Sequence, residues 1–362
     1  MVTKSAKANM PLLYAFDAGN GMCKGISSQT RDLIEFEPLM APLTDKRGIT
    51  KDDEKPRYSL KIDGQTWVFG VDDVFTHGKR VSMRRFNSME RYTDADYSNL
   101  MDVLYLQCFG SYRGNSEYIA PTGVISLPIS QYNNDSVLNQ VRQTLEGKRT
   151  LTDYEGCELR IAIEPKRLII VPESYGVIMH YAYDPKTLKP RPESPTNGTT
   201  LIVDMGFETT DCSLFEGLKY QRDLAFTTSR AGMGVIARAI QEYLAKSIRD
   251  ANISRIDRAM REIANIKPGS PKRIQTAPGI WADVTEVYDS ELSNLAARIA
   301  KEVGSYYTQA ISRVILGGGG AYHLSELLQH HFSPMEVLSA PDPDAANAYG
   351  PFTMLNIQAN RE

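Results

Sequence analysis

The sequence predicts an α/β protein built from two related halves, and three observations carry that reading. Short apolar runs of strand character alternate with helix-length stretches along the whole chain. A unit made of an apolar run, an Asp-x-Gly turn and a second short run occurs twice, at residues 12–26 and 201–215. Between the two units, residues 184–198 hold four prolines with Asn and Gly, which reads as a surface loop joining the halves.

Taken in order, residues 12–16 are apolar and end in Asp17-Ala18-Gly19-Asn20-Gly21, a turn by composition. Residues 37–57, rich in Pro, Asp, Lys and Arg, read as exposed loop. Residues 58–71 read as a hairpin around Asp63-Gly64. Residues 94–109 are helical, with Leu100, Val103, Leu104 and Leu106 on the apolar face. A strand at 122–128, a helix at 134–145, a buried strand at 167–171 and a short helix at 174–183 complete the first half. After the loop, 201–203 runs into Asp204-Met205-Gly206, followed by a strand at 212–215. Residues 234–248 and 250–265 read as helices. A long helix at 286–307 places Leu292, Leu295, Ile299, Val303 and Tyr306 toward a core. A strand at 313–316 enters Gly317-Gly318-Gly319-Gly320 directly. Residues 325–331 are helical, and a last helix starts at Asp344 with Pro351 interrupting it.

The 362 residues suffice for two domains, and 42% hydrophobic with 23% charged residues is a globular composition. A net charge of -3 supplies no sequence-wide basic field, which argues against direct binding to nucleic acid or an anionic membrane. Cys23, Cys108, Cys157 and Cys212 form no CxxC pair, which disfavours a disulfide framework or zinc site and suits a reducing cytoplasm. Residues 1–10 lack the apolar core of a signal peptide, and no apolar run approaches the roughly 18 residues of a membrane helix.

Five segments carry candidate chemistry. In the first, Asp17 ends a strand, where a carboxylate can hold water on a magnesium ion. Gly19, Asn20 and Gly21 let backbone N–H groups approach phosphate oxygens, and Lys24 adds a point charge. Alone, this unit also reads as a hairpin turn with an exposed lysine. In the second, Asp204 faces the metal by the same logic, with Gly206 and Thr209 toward phosphate; alone it too is an ordinary turn. In the third, Ile170-Val171-Pro172-Glu173-Ser174, a carboxylate at a strand-to-helix junction can orient water for attack on phosphorus, or merely favour the helix N-terminus. In the fourth, four glycines after a buried strand need unusual torsions or the close approach of something flat, such as adenine-ribose. In the fifth, Asp344-Ala345-Ala346-Asn347-Ala348-Tyr349-Gly350 is a small-residue helix that lets another backbone pack closely.

Other patterns carry less. Gly232-Met233-Gly234-Val235-Ile236-Ala237 fits a GxGxxA dinucleotide pattern, but residues 226–231 before it form no clear buried strand. Gly232 and Gly234 then open a helix beside the candidate phosphate-binding turns, or simply start a helix. No GxxxxGK[ST] loop occurs, which disfavours a P-loop enzyme. His323, His330 and His331 lack partners at metal-ligand spacing and read as solvated or packed. The basic stretch 80–91 reads as a solvated loop or a contact to another protein surface.

The five segments, in this order, resemble the actin, chaperone and sugar-kinase superfamily, and most nearly its ParM/StbA branch of bacterial and archaeal actin-like proteins. The resemblance spans about residues 13–357. It implies an actin-like (ribonuclease H-like) fold, two α/β domains with a nucleotide cleft between them. The first would be 1–175, with a small inserted subdomain at about 35–95 and completion by helix 343–362; the second would be 176–342. It implies an ATPase in which Asp17 and Asp204 flank Mg²⁺ through water. Gly19, Asn20, Gly21, Lys24, Gly206 and Thr209 would hold phosphates, Glu173 would position the attacking water, and Gly317, Gly318 and Gly319 would line the adenosine. Sequence does not separate ATP from GTP. Two departures stand out: Phe207 and Glu208 replace the small or hydroxylic residues that usually follow Gly206, and Pro351 falls where the helix normally continues.

The resemblance implies a polymer of identical subunits, formed with ATP and weakened by hydrolysis, that moves plasmid DNA through a DNA-binding adaptor. A chaperone of the superfamily would need a further substrate-binding domain. A monomeric small-molecule kinase would need a catalytic Asp aimed at a substrate hydroxyl, and none stands out. A nucleotide-binding scaffold with little hydrolysis is kept open by Phe207 and Glu208.

Overall fold

The structure is a computed structural model that describes residues 11–44, 55–79, 84–85, 95–245, 252–264, 266, 270–277, 279–307 and 310–361. The first half opens with β1 (Leu13–Ala18), β2 (Cys23–Ser27) and β3 (Ile34–Phe36). A small lobe follows: β4 (Leu39–Pro42), β5 (Ser59–Ile62), β6 (Gln65–Phe69), α1 (Val71–His77) and β7 (Arg84–Arg85). The chain returns through α2 (Ala95–Cys108), β8 (Thr122–Leu127), α3 (Ile129–Tyr132) and α4 (Asp135–Leu145). Then come β9 (Gly147–Thr152), β10 (Glu158–Ile163), β11 (Leu168–Pro172) and α5 (Glu173–Ala182).

The second half holds β12 (Thr199–Met205), β13 (Thr209–Glu216), β14 (Lys219–Ser229), α6 (Gly234–Ala245) and α7 (Ile253–Ile263). β15 (Arg273–Ala277), β16 (Ile280–Asp283), α8 (Thr285–Tyr306), β17 (Arg313–Gly317), α9 (Ala321–Phe332), β18 (Glu336–Ser339) and α10 (Ala346–Ala359) complete it.

The two halves repeat one plan. The first five-stranded sheet has the order β11-β8-β1-β2-β3 and the second β14-β13-β12-β17-β18. In each, an antiparallel hairpin (β1–β2, β12–β13) is flanked by a parallel strand, β8 or β17. The hairpin strands are buried along almost their whole length, so they read as near-continuous apolar runs rather than alternating ones. The first core is aromatic: Tyr14, Phe16 and Tyr105 cluster with centroids 4.6–5.2 Å apart. The second is mostly aliphatic, with Leu292, Leu295, Ile299 and Val303 of α8 buried in it as the periodicity predicts, whereas Tyr306, placed with them by the same pattern, is exposed at the helix end.

Three expectations are corrected. Residues 37–57 are not all loop: Leu39–Pro42 is a buried strand pairing with β6 and β7; Pro38 and the charges that suggested loop flank it, and Pro42 is its last residue. Residues 45–54 and most of the basic stretch 80–91 lie outside the described residues. Residues 226–229 do belong to a strand, since β14 extends β13 outward; it is polar because it is the sheet edge. Pro351 does not interrupt the last helix, which runs from Ala346 to Ala359. Proline removes the N–H that would reach the carbonyl four residues back, that of Asn347. Ser126 Oγ of β8 donates to that carbonyl instead, at 2.9 Å.

Two helices join the halves at their centre. A Cβ on Gly350 of α10 would lie 2.0 Å from the Gly176 carbonyl oxygen, and one on Gly176 of α5 would lie 2.7 Å from Asn347 Cα. Only glycine permits that approach. At the rim, Arg258 of α7 reaches the small lobe, donating to Glu37 at 2.5 and 3.0 Å and to Asp72 at 2.6 Å.

Candidate functional site

The two hairpin turns face one cleft. Asp17, Gly19, Asn20, Gly21 and Lys24 line it from β1–β2, and Asp204, Gly206 and Thr209 from β12–β13. Glu173, the first residue of α5, lines it too, together with Gly318 and Gly319 after β17. These residues span sequence positions 17 to 319 and meet because both hairpins present their turns at the same end of their sheets.

Local geometry explains several choices of residue. Gly318 has φ 72°, and a Cβ there would lie 2.4 Å from the Met205 carbonyl and 2.6 Å from Asp204 Oδ1. A Cβ on Gly19 would lie 2.7 Å from the Met22 carbonyl. Gly317, Gly232 and Gly234 do not line the cleft. Gly317 makes room for Val177 of α5, whose Cγ2 would be 2.3 Å from a Cβ there. Gly232 and Gly234 press on the second hairpin: Gly234 N–H donates to the Phe207 carbonyl at 2.6 Å and Met233 N–H to that of Gly206 at 3.0 Å. Their part is to brace the turn.

The two departures from the family pattern also find places. Phe207 is buried in the aliphatic core. Glu208 turns to Arg238 of α6, whose Nη1 donates to its two oxygens at 3.0 and 3.2 Å. A carboxylate so paired repels a phosphate far less than a bare one.

Electrostatics at the base of the cleft are set by burial. Asp204 is pushed above the ordinary carboxylate range by desolvation; Asp211 and Asp17 add to the rise, while Asn347 and Lys24 oppose it. Asn347 Nδ2 donates to Asp204 Oδ2 at 2.8 Å. Asp211 is likewise pushed up by burial, while accepting from Ile129 N–H at 2.7 Å and from Thr227 Oγ1 at 2.6 Å. Lys24 Nζ donates to the Asp344 carbonyl.

Sequence reasoning missed part of the wall. Asp344 and Asn347 sit in the quoted small-residue helix segment and could have been assigned with it. Asp257 and Arg261 pair at 3.3 Å across one turn of α7, a spacing that reads as an ordinary surface pair. Met233, Met260 and His323 also line the cleft. His323 Nδ1 meets the Tyr288 hydroxyl, and burial pushes it down to about 4, so it is neutral.

The donor set fits a magnesium-nucleotide. Two carboxylates from different sheets meet a lysine, an arginine and two glycine turns in one crevice. Asn20 Oδ1 and Arg261 Nε are buried at its wall without a hydrogen-bond partner, one acceptor and one donor left for something bound. Among the described residues no cluster of three metal-ligating side chains occurs, so a magnesium ion here would keep most of its waters.

Comparison with known proteins agrees with this fold. Residues 15–176 match the family model "Actin like proteins N terminal domain", and residues 202–330 match "Archaeal actin homologue MreB-like, C-terminal". Among solved structures, Ta0583, an archaeal actin homolog, superposes with TM-score 0.73 at 18% identity over 96% of this chain and 99% of that one. The subunit of a 15-stranded ParM filament from Clostridium botulinum gives 0.72 at 17% identity, over 96% and 99%. Ta0583 in complex with ADP gives 0.70 at 18% identity, over 96% and 99%. No curated protein matches the chain. Among the described residues no helix is long and apolar enough to cross a membrane.

Proposed function

We propose that the chain, which actin-like family models match over residues 15–176 and 202–330, is an actin-like protein near the ParM branch and a cytoplasmic ATPase that polymerises with Mg-ATP held between its lobes. The lobes are drawn at 1–175 with 343–362, and at 176–342. The observation that carries the reading is that Asp17 and Asp204, from the turns of two separate sheets, line one cleft with Lys24, Glu173 and Gly318.

Each residue then has a task. The glycine turns at 19–21 and at 206 give backbone N–H groups to phosphate oxygens, and Lys24 offsets their charge. Glu173, at the start of α5, accepts a proton from a water and turns its lone pair toward the terminal phosphorus. Asp17 and Asp204 would hold a hydrated metal ion, which would supply charge neutralisation. Gly318 and Gly319 allow the flat base and sugar to lie on backbone.

The ParM structure among the relatives is a filament, which supports self-assembly as the outcome of nucleotide binding. Segregation of plasmid or other DNA through an adaptor is the cellular role proposed with it. ATP is preferred to GTP here on the ADP complex of Ta0583. Sedimentation with Mg-ATP and electron microscopy of the same sample test the proposal. It expects pelletable filaments that disappear with ADP, and a strict monomer at high micromolar concentration would refute it.

A further inference from the structure

A line of buried polar contacts runs from the first sheet to the second and ends on Asp204. Ser126 of β8 donates its hydroxyl to the Asn347 carbonyl at 2.9 Å. That carbonyl is open to it because Pro351, four residues on, has no N–H to offer. Asn347 in turn donates Nδ2 to Asp204 Oδ2 at 2.8 Å. Ser126, Asn347 and Asp204 are 1%, 6% and 3% exposed, so water does not compete for these bonds. On its other side Asn347 is held by the backbone of α5, since a Cβ on Gly176 would lie 2.7 Å from Asn347 Cα.

We propose that Asn347 is a positioning residue for Asp204, and that Pro351 and Ser126 exist to set the depth of Asn347. The inference rests on Asp204 being a metal-side carboxylate. A bond from Asn347 to Oδ2 fixes the rotation of the carboxylate, and with it the direction in which Oδ1 faces the cleft. A neutral amide does this without adding a cation that would compete with the metal, as a lysine would. The proline thus acts by subtraction: it removes the helix's own claim on one carbonyl and leaves that carbonyl to the other sheet.

The experiment compares Asn347→Ala, Ser126→Ala, Pro351→Ala and the double variant Ser126→Ala/Pro351→Ala, with Ser126→Thr as the conservative control. Three readouts are taken on each full chain. They are the Mg²⁺ concentration for half-maximal binding of a fluorescent ATP analogue, binding of the same analogue in EDTA, and thermal unfolding without nucleotide. Asn347→Ala should raise the Mg²⁺ requirement about 10-fold, the loss usual for a group that orients a metal ligand, a larger loss than it causes in EDTA. Ser126→Ala should raise it about 3-fold, and Ser126→Thr should match the parent. In the double variant the backbone N–H restored at position 351 can take the Asn347 carbonyl, so the requirement and the unfolding temperature should both return toward the parent's.

Equal losses in Mg²⁺ and EDTA for Asn347→Ala would overturn the positioning role. A double variant as impaired as Ser126→Ala would overturn the part given to Pro351. Should the parent bind no nucleotide at all, the functional reading fails on its own. The link from Pro351 to Asn347 is then judged by whether the unfolding temperatures still show the compensation.

Discussion

The two hairpins share a backbone plan and differ in charge. In the first, Asp17 pairs in register with Lys24; in the second, Asp204 pairs with Asp211 at the equivalent place. The first turn thus brings its own counter-charge into the cleft. The second brings two carboxylates into one buried region, where desolvation raises both and the charge of Asp211 adds to the rise of Asp204. Asp211 is turned aside to take the Ile129 N–H and the Thr227 hydroxyl, which ties the second sheet to α3 of the first half. A repeated fold has become one self-neutralised wall and one wall that favours an added cation.

Neutralising the acids in turn separates the two walls. Asp204→Asn keeps an acceptor for Asn347 and should lower ATP hydrolysis about 100-fold or more in a phosphate-release assay. Asp17→Asn should lose a similar factor; if only one does, the walls do not share a metal. The next effect is on pH. Asp204 and Asp211 hold protons in the fold that the unfolded chain has released, so nucleotide-free stability should fall as pH rises from the ordinary carboxylate range through the raised values. Denaturant melts between about pH 5 and about pH 8 should lose of order 2 kcal/mol, and Asp204→Asn should flatten the slope. Mg-nucleotide affinity should run the other way and strengthen with pH, because the metal needs the ionised acid.

A third effect isolates the first hairpin. Lys24→Ala should weaken nucleotide binding about 10-fold by titration, through loss of the charge on its wall. The smallest tests the paired carboxylate of the second hairpin. Arg238→Ala releases Glu208 toward the phosphates and should weaken binding about 3-fold, and adding Glu208→Gln should recover it.

The repeated hairpins were legible because each is a fully buried apolar run ending in Asp-x-Gly, a pattern that local chemistry imposes whatever lies around it. The glycines after β17 were legible for the same reason, although Gly317 serves Val177 of α5 and not the cleft. What stayed hidden depends on contacts far apart in sequence. Arg261 and Asp257 look like an ordinary pair on a surface helix until α7 is laid over the cleft. Glu208 looked hostile to phosphate because Arg238, 30 residues on, could not be placed against it. Pro351 looked like a break because the hydroxyl that takes over its carbonyl lies on β8, 221 residues before Asn347. β14 was missed because a sheet edge is only partly buried, and its composition follows solvent more than strand preference.

On the proposed reading, one hydrated magnesium and one triphosphate bridge both hairpins. A double-mutant cycle on Asp17→Asn and Asp204→Asn, read as Mg²⁺-dependent ATP binding by calorimetry, probes that bridge. Each single change should abolish most of the Mg²⁺-dependent part, and the double variant should be little worse than either one, since both acids serve the same ion. Losses that simply add, or an Mg²⁺ dependence that survives in the double variant, would contradict the shared site.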